Sequence, residues 1–244
     1  MRETVAVARF GARLLWRDKV ALSTSVALSL GLGIFLPLMM HKLGVSGGLR
    51  VHLGLLAMIV TISAFQQTVI TLTARRDQLI LKRMRATGLG DGAILAGEIV
   101  NVAAQALAVM LAITATLLLA GVIEPPAQPV LVVLILALGA LALAVLGAAY
   151  TLAVPRAELA AVLAMPFFLL GGVGAGGFGP LTELLPGWIT QVLHWLPNVA
   201  FADLLEQAHT GAGGYLPPLA RLAVFVAVAV LAIRLRFRWE PRRT

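Results

Sequence analysis

The run Arg75-Arg76-Asp77-Gln78-Leu79-Ile80-Leu81-Lys82-Arg83-Met84-Arg85-Ala86-Thr87-Gly88-Leu89 stands between two strongly apolar segments and holds five basic residues against one acid. Ile80 and Met84 pair at helical spacing within it. Residues 75–89 therefore read as a short helix lying across a membrane surface, basic on one side and apolar on the other. Such a helix either rests on anionic lipid or fits a groove on a soluble partner. Lipid headgroups alone explain the charge but not the regularly interposed Leu79, Ile80, Leu81 and Met84.

The composition around this run sets the solvent. The chain has 244 residues, of which 60% are hydrophobic and 12% charged, with a mean hydropathy of +0.95. Ordinary soluble domains carry about twice that charged fraction. A water-soluble fold of this size could not hide so much apolar surface, so lipid must be the solvent. The net charge of +8 follows membrane topology, as shown below, and gives no ground for a nucleic-acid partner. With no cysteine in the chain, disulfide, thiolate-metal and cysteine-nucleophile chemistry are excluded.

Reading outward gives an all-α membrane protein with six transmembrane helices. Residues 1–19 carry Val7, Phe10, Gly11 and Leu14 on one arc and Arg9, Arg13 and Arg17 beside it, an interfacial helix feeding the first span. The spans are expected at 20–40, 51–73, 94–123, 130–153, 159–174 and 216–235. Glu124-Pro125-Pro126 stops the third and Pro155-Arg156 the fourth. Between spans five and six, residues 176–214 are cut by Pro180, Pro186 and Pro197 into pieces too short to cross. Trp188, Trp195 and Phe201 there suit short amphipathic helices at one membrane face.

Charge sets the orientation. With six spans and both termini cytoplasmic, sixteen of the 19 Lys and Arg residues fall inside, leaving Lys42, Arg50 and Arg221 outside. That is a strong positive-inside bias. Omitting the short fifth span would put the basic tail on the wrong side.

Few polar residues sit within the spans. Gln66, Gln67, Glu98, Asn101 and Gln105 either join helices or line a path. Glu98 and Glu158 also suit helix N-termini, where the dipole favours a carboxylate. Arg221 either snorkels to the outer interface or faces a cavity. The four histidines are scattered, and Glu206 with His209 lacks further ligands, so no metal site is expected. No phosphate-cradling G-x-x-x-x-G-K-[ST] occurs, so nucleotide hydrolysis is not expected of this chain. Gly172-Val173-Gly174-Ala175-Gly176-Gly177 matches G-x-G-x-x-G, but it ends a span where the dinucleotide fingerprint follows a strand. Its glycines are expected to break the helix near the outer face.

Two stretches resemble one family, the permease subunits of type-2 ATP-binding cassette exporters, common in bacterial multidrug and antibiotic export. The family carries, between spans two and three, a pattern close to R-[ED]-x-G-T-L-K-R-L-R-x-T-P-L. This chain is similar to it through Arg76-Asp77 and Leu81-Lys82-Arg83-Met84-Arg85-Ala86-Thr87. It departs at Leu79-Ile80, where Gly-Thr is usual, and at Gly88, where Pro is usual. The second stretch, Gly177-Phe178-Gly179-Pro180, Leu185-Pro186-Gly187-Trp188-Ile189 and Leu196-Pro197, resembles the family's run after span five.

The resemblance implies a transport subunit and not an enzyme. Residues 75–89 would be a coupling helix, with Arg76, Asp77, Leu81, Lys82, Arg83, Met84 and Arg85 touching a separate ATPase subunit that binds Mg-ATP. It further implies an outer gate containing Gly177, Pro180, Leu185, Pro186, Trp188 and Pro197, and a second permease copy, most simply identical. A multi-pass place in the bacterial plasma membrane and a role in export also follow from it, and the apolar character of spans two and five favours a hydrophobic or amphipathic cargo. Two competitors stay open: an ion- or proton-driven secondary transporter, which needs intramembrane relays such as Glu98, and a non-transporting membrane anchor for a partner.

Overall fold

A computed structural model describes residues 27, 29–43, 48–86, 88, 90–178 and 185–237. The expected interfacial helix 1–19, the start of the first span, Pro180 and the end of the basic tail lie outside these residues. The described residues form helices and turns, with no strand among them. Helix α1 is π-helical over Gly31–Phe35 and α-helical over Leu36–Lys42. Helix α2 runs Gly48–Val60, passes through a π-helical segment Thr61–Gln66, and continues over Gln67–Asp77. After it come α3 (Ile80–Ala86), α4 (Asp91–Leu119), α5 (Pro129–Tyr150), and α6, a 3-10 turn Ala157–Leu159 leading into Ala160–Gly174. Helices α7 (Gly187–His194), α8 (Pro197–Thr210) and α9 (Leu216–Arg236) complete the described chain.

Among the described residues, Leu49–Asp77, Asp91–Leu119, Pro129–Tyr150, Ala157–Gly174 and Leu216–Arg236 are long and apolar enough to cross a membrane. The boundaries shift where local chemistry says they must. Helix α4 begins three residues before the expected Ile94 and stops at Leu119, because Gly121 takes a left-handed turn (φ 68°) ahead of Glu124-Pro125-Pro126. Helix α5 ends at Tyr150, not at residue 153, and turns through Thr151–Ala153. Pro129, Pro197 and Pro217 occupy first turns of α5, α8 and α9, where a missing N–H costs nothing.

Helix α2 is the axis of the bundle: 78% of its most apolar window is buried, against 22% for α6 and 17% for α9. The outer faces of α6 (Val162, Met165, Leu170) and α9 (Val224, Val228, Leu231) are exposed and apolar, as a surface facing acyl chains must be. In the centre, the Phe65 ring stacks on Phe167 at 4.4 Å and lies tilted to Tyr150 at 5.3 Å, joining α2, α5 and α6. Gly147 lets α5 approach closely, since a Cβ there would stand 2.4 Å from the Phe65 carbonyl oxygen.

Three hydroxyls within α2 are satisfied by carbonyls of the helix itself. Thr61 Oγ1 donates to Ala57 O (2.7 Å), Ser63 Oγ to Ile59 O (2.6 Å) and Thr68 Oγ1 to Ala64 O (2.7 Å). Asn198 Nδ2 donates to Thr61 Oγ1 at 3.3 Å, which ties α8 to the π-helical segment. The glycine run at the end of α6 breaks the helix as expected: α6 stops at Gly174 and Gly176 takes φ 79°.

Helices α7 and α8 rise only about 12 and 21 Å, too short to cross. Trp188 on α7 and Trp195 just after it are exposed, as an interfacial role requires. Phe201 is not interfacial. It is fully buried, and its ring occupies the space that a Cβ at Gly139 of α5 would need. Its side of α8 turns into the bundle.

Candidate functional site

The basic run does not form one helix. Helix α2 carries on through Arg75, Arg76 and Asp77, and the chain then turns at Gln78-Leu79 before α3 begins. Gln78 N–H donates to Ala74 O (2.9 Å) and Leu79 N–H to Arg76 O (3.0 Å), closing α2. Leu79 sits in the left-handed region at φ 59°, a conformation that disfavours a side chain. Leu79 is where the resembled pattern usually has glycine, so the departure from that pattern and the backbone strain coincide. Helix α3 then starts with Arg83 N–H on Leu79 O (3.1 Å).

Within α3 the residues divide by face. Leu81 is fully buried, Met84 half-buried, and Lys82, Arg83 and Arg85 exposed. Leu81 thus points into the bundle and anchors α3, contributing about 2 kcal/mol by removal from water. Arg85 Nε lies 2.7 Å from Asp91 Oδ1 at the start of α4. Both are nearly half-exposed, so this pair fixes geometry more than stability.

Arg76 and Asp77 also face inward. Arg76 is 4% exposed. Its Nη2 donates to the carbonyls of Val154 (3.0 Å) and Pro155 (3.1 Å), and its Nη1 to Thr151 O (3.4 Å). Asp77 Oδ2 accepts the Ala157 N–H at 2.8 Å, while Oδ1 lies 3.4 Å from Arg76 Nε. A guanidinium thereby meets carbonyls where α5 ends, and a carboxylate meets an N–H where α6 begins. Each charge lies at the helix end whose dipole favours it.

Beside them, Arg75 Nη1 pairs with Glu98 Oε1. The carboxylate of Glu98 is buried, and its Oε2 has no hydrogen-bond partner among the described residues. Glu98, Asn101 and Gln105 share one face of α4 by their i, i+3, i+7 spacing, and Gln66 and Gln67 are half-buried on α2. The Gln105 amide nitrogen is buried without a partner among the described residues.

At the other end of the bundle lie the described residues among those expected in an outer gate. Gly177 packs against α2, where a Cβ on Gly54 would meet its nitrogen at 2.3 Å. Leu185 and Pro186 lead into α7, exposed Trp188 lies on it, and Pro197 is buried in the first turn of α8. Arg221 of α9 donates to Asp203 of α8 and to the His194 carbonyl of α7, with His194 Nδ1 3.9 Å from Asp203 Oδ2. Arg221 thereby ties three helices together. Asp203 and His194 carry no motif, so sequence reasoning passed over them.

His209, near the end of α8, is buried, and burial lowers its imidazole pKa although a hydrogen bond to the Glu124 backbone works the other way. Among the described residues no group of three or more His, Cys, Asp or Glu could hold a metal ion.

Comparison with known proteins found that residues 34–235 match the family described as "ABC-2 family transporter protein". No curated protein and no solved structure matched. The match spans most of the chain, from the first described helix to the end of the last, and includes both stretches that carry the resemblance. The chain therefore belongs to the ABC-2 transporter family and is a multi-pass membrane permease of the type-2 ATP-binding cassette class.

Proposed function

We propose that this permease is the membrane half of an ATP-driven exporter, with α3 seated on a separate ATP-binding cassette subunit that binds Mg-ATP. The observation that carries the reading is the division of α3: Leu81 is locked inside while Lys82, Arg83 and Arg85 are turned outward. A short helix anchored by one apolar residue and presenting basic ones suits an acidic cleft on a partner. ATP-driven approach of two such subunits would push on α3, and α2 and α4 would carry the displacement into the bundle.

The arrangement proposed has six spans with both termini cytoplasmic, supported by the sixteen of 19 basic residues that fall inside. Two copies enclose the path in a bacterial plasma membrane, the 176–214 segment gates the outer end, and the cargo is hydrophobic or amphipathic. Asn101, Gln105, Gln66 and Gln67 are the path candidates. Glu98, engaged by Arg75 within the chain, is assigned to holding α4 on the end of α2.

The test is purification from the native membrane in mild detergent, scored for a P-loop subunit and for ATP hydrolysis in the same fraction. Lys82→Glu with Arg83→Glu should cut both at least tenfold while the permease still inserts. An intact permease that brings no P-loop subunit, or cargo movement that follows a proton gradient and ignores ATP, would overturn the reading.

A further inference from the structure

The residues of the basic run that best match the family pattern at its head, Arg76 and Asp77, face away from the surface that α3 presents. Arg76 holds the carbonyls of Thr151, Val154 and Pro155, and Asp77 holds the N–H of Ala157. These four acceptors and donors lie 75 to 80 residues away in the chain. They span the whole reversal between α5 and α6. Two neighbouring side chains thus grip both ends of one loop, one at the carbonyl end of α5 and one at the amide end of α6.

We infer that Arg76 and Asp77 are positioning residues that make the 151–157 loop move as one body with α3. The inference rests on the reading of α3 as the seat of the ATPase. A push on α3 reaches α2 and α4 through the chain itself, because α3 is joined to both by short turns. Helices α5 and α6 have no such covalent link to α3, and the hydrogen bonds of Arg76 and Asp77 tie their loop to the end of α2 from which α3 continues. The geometry favours rigidity over a loose tether. A guanidinium is planar, so three carbonyls fix its orientation, and its 4% exposure leaves little water to compete for those carbonyls.

The loop and α3 are accessible to labelling, and the chain contains no cysteine. Ala86 on α3 and Ala153 on the loop are both exposed. Spin labels on Ala86→Cys and Ala153→Cys report the separation of the two elements, in the purified permease and in its complex with the ATPase, with and without trapped nucleotide. The expected result is one narrow distance distribution that is the same in every state. Asp77→Ala and Arg76→Met should broaden it at least twofold.

Asp77→Asn should keep the native width, because the amide oxygen still accepts the Ala157 N–H. That rescue separates a specific grip from general damage. If Arg76→Met fails to insert, the Asp77→Ala and Asp77→Asn pair decides the matter. The inference is overturned if the native distance changes with nucleotide, if Asp77→Ala keeps the native width, or if Asp77→Asn broadens as much as Asp77→Ala. The widths are read in the permease alone as well, so absence of an ATPase overturns the preceding proposal without touching this measurement.

Discussion

Replacing Leu81 by alanine should release α3 from the bundle without unfolding the spans. Helix α3 has seven residues, too few to hold helical form by itself in water. Its place depends on what it buries, and Leu81 is its fully buried residue. Truncating a fully buried leucine costs about 3 kcal/mol, transfer and cavity together. Because that contact is made only when α3 is docked, the loss falls on the local opening of α3 and not on the global fold. At about 1.4 kcal/mol per tenfold, the open population rises about a hundredfold. Amide hydrogen exchange of residues 80–86 in detergent measures this directly, with the amides of α5 as an internal standard. Arg83→Ala, on the exposed side, should change the same amides by less than about 0.5 kcal/mol. Unchanged exchange in Leu81→Ala would refute the anchoring argument, and equal effects of the two variants would show that the face assignment is wrong.

Three further outcomes follow from particular residues. Leu79→Gly should raise thermal stability by about 1 kcal/mol, since a left-handed Leu costs about 1–2 kcal/mol and glycine gives back part of that in chain entropy; a lower melting temperature would show that Leu79 carries contacts worth more than its strain. Gly147→Ala places a methyl 2.4 Å from the Phe65 carbonyl oxygen and should destabilise by about 1–3 kcal/mol through overpacking; a neutral effect in thermal unfolding would mean that α2 and α5 separate freely there. His209 has a folded-state pKa lowered by burial, so the unfolded chain binds its proton first. Its contribution to stability is therefore full above the unfolded value near 6.5 and is lost as pH falls below it. Thermal unfolding between pH 7.5 and pH 5 should show a smaller acid loss in His209→Gln than in the native chain, and identical pH profiles would remove His209 as the cause.

The class of the protein was legible because it depends on composition along one strand of chain. Long apolar stretches cannot be solvated by water, prolines and glycines mark where helices must end, and Lys and Arg report the side they face. The basic run, the two motif stretches and the shortness of the outer helices were read from the same kind of local signal. The helix itself continues through residues 75–77, beyond the expected end of the second span.

What the sequence could not settle is which partner each polar side chain meets. The family resemblance put Arg76 and Asp77 at a contact with a partner subunit, yet they lie on backbone groups 75 to 80 residues away. Arg221 and Asp203 are 18 residues apart, Arg75 and Glu98 23. Phe201 read as interfacial because an aromatic in a short amphipathic helix usually is, yet it fills space opened by the absent side chain of Gly139. Periodicity along a helix records how apolar each face is. It carries no record of which helix that face will meet, and burial of a charge is stable only when that neighbour supplies the matching dipole or ion. Helical membrane class, the basic α3 and the family were therefore determined by the sequence alone, while the inward staple of Arg76 and Asp77 and the Arg221–Asp203 tie were decided by tertiary packing.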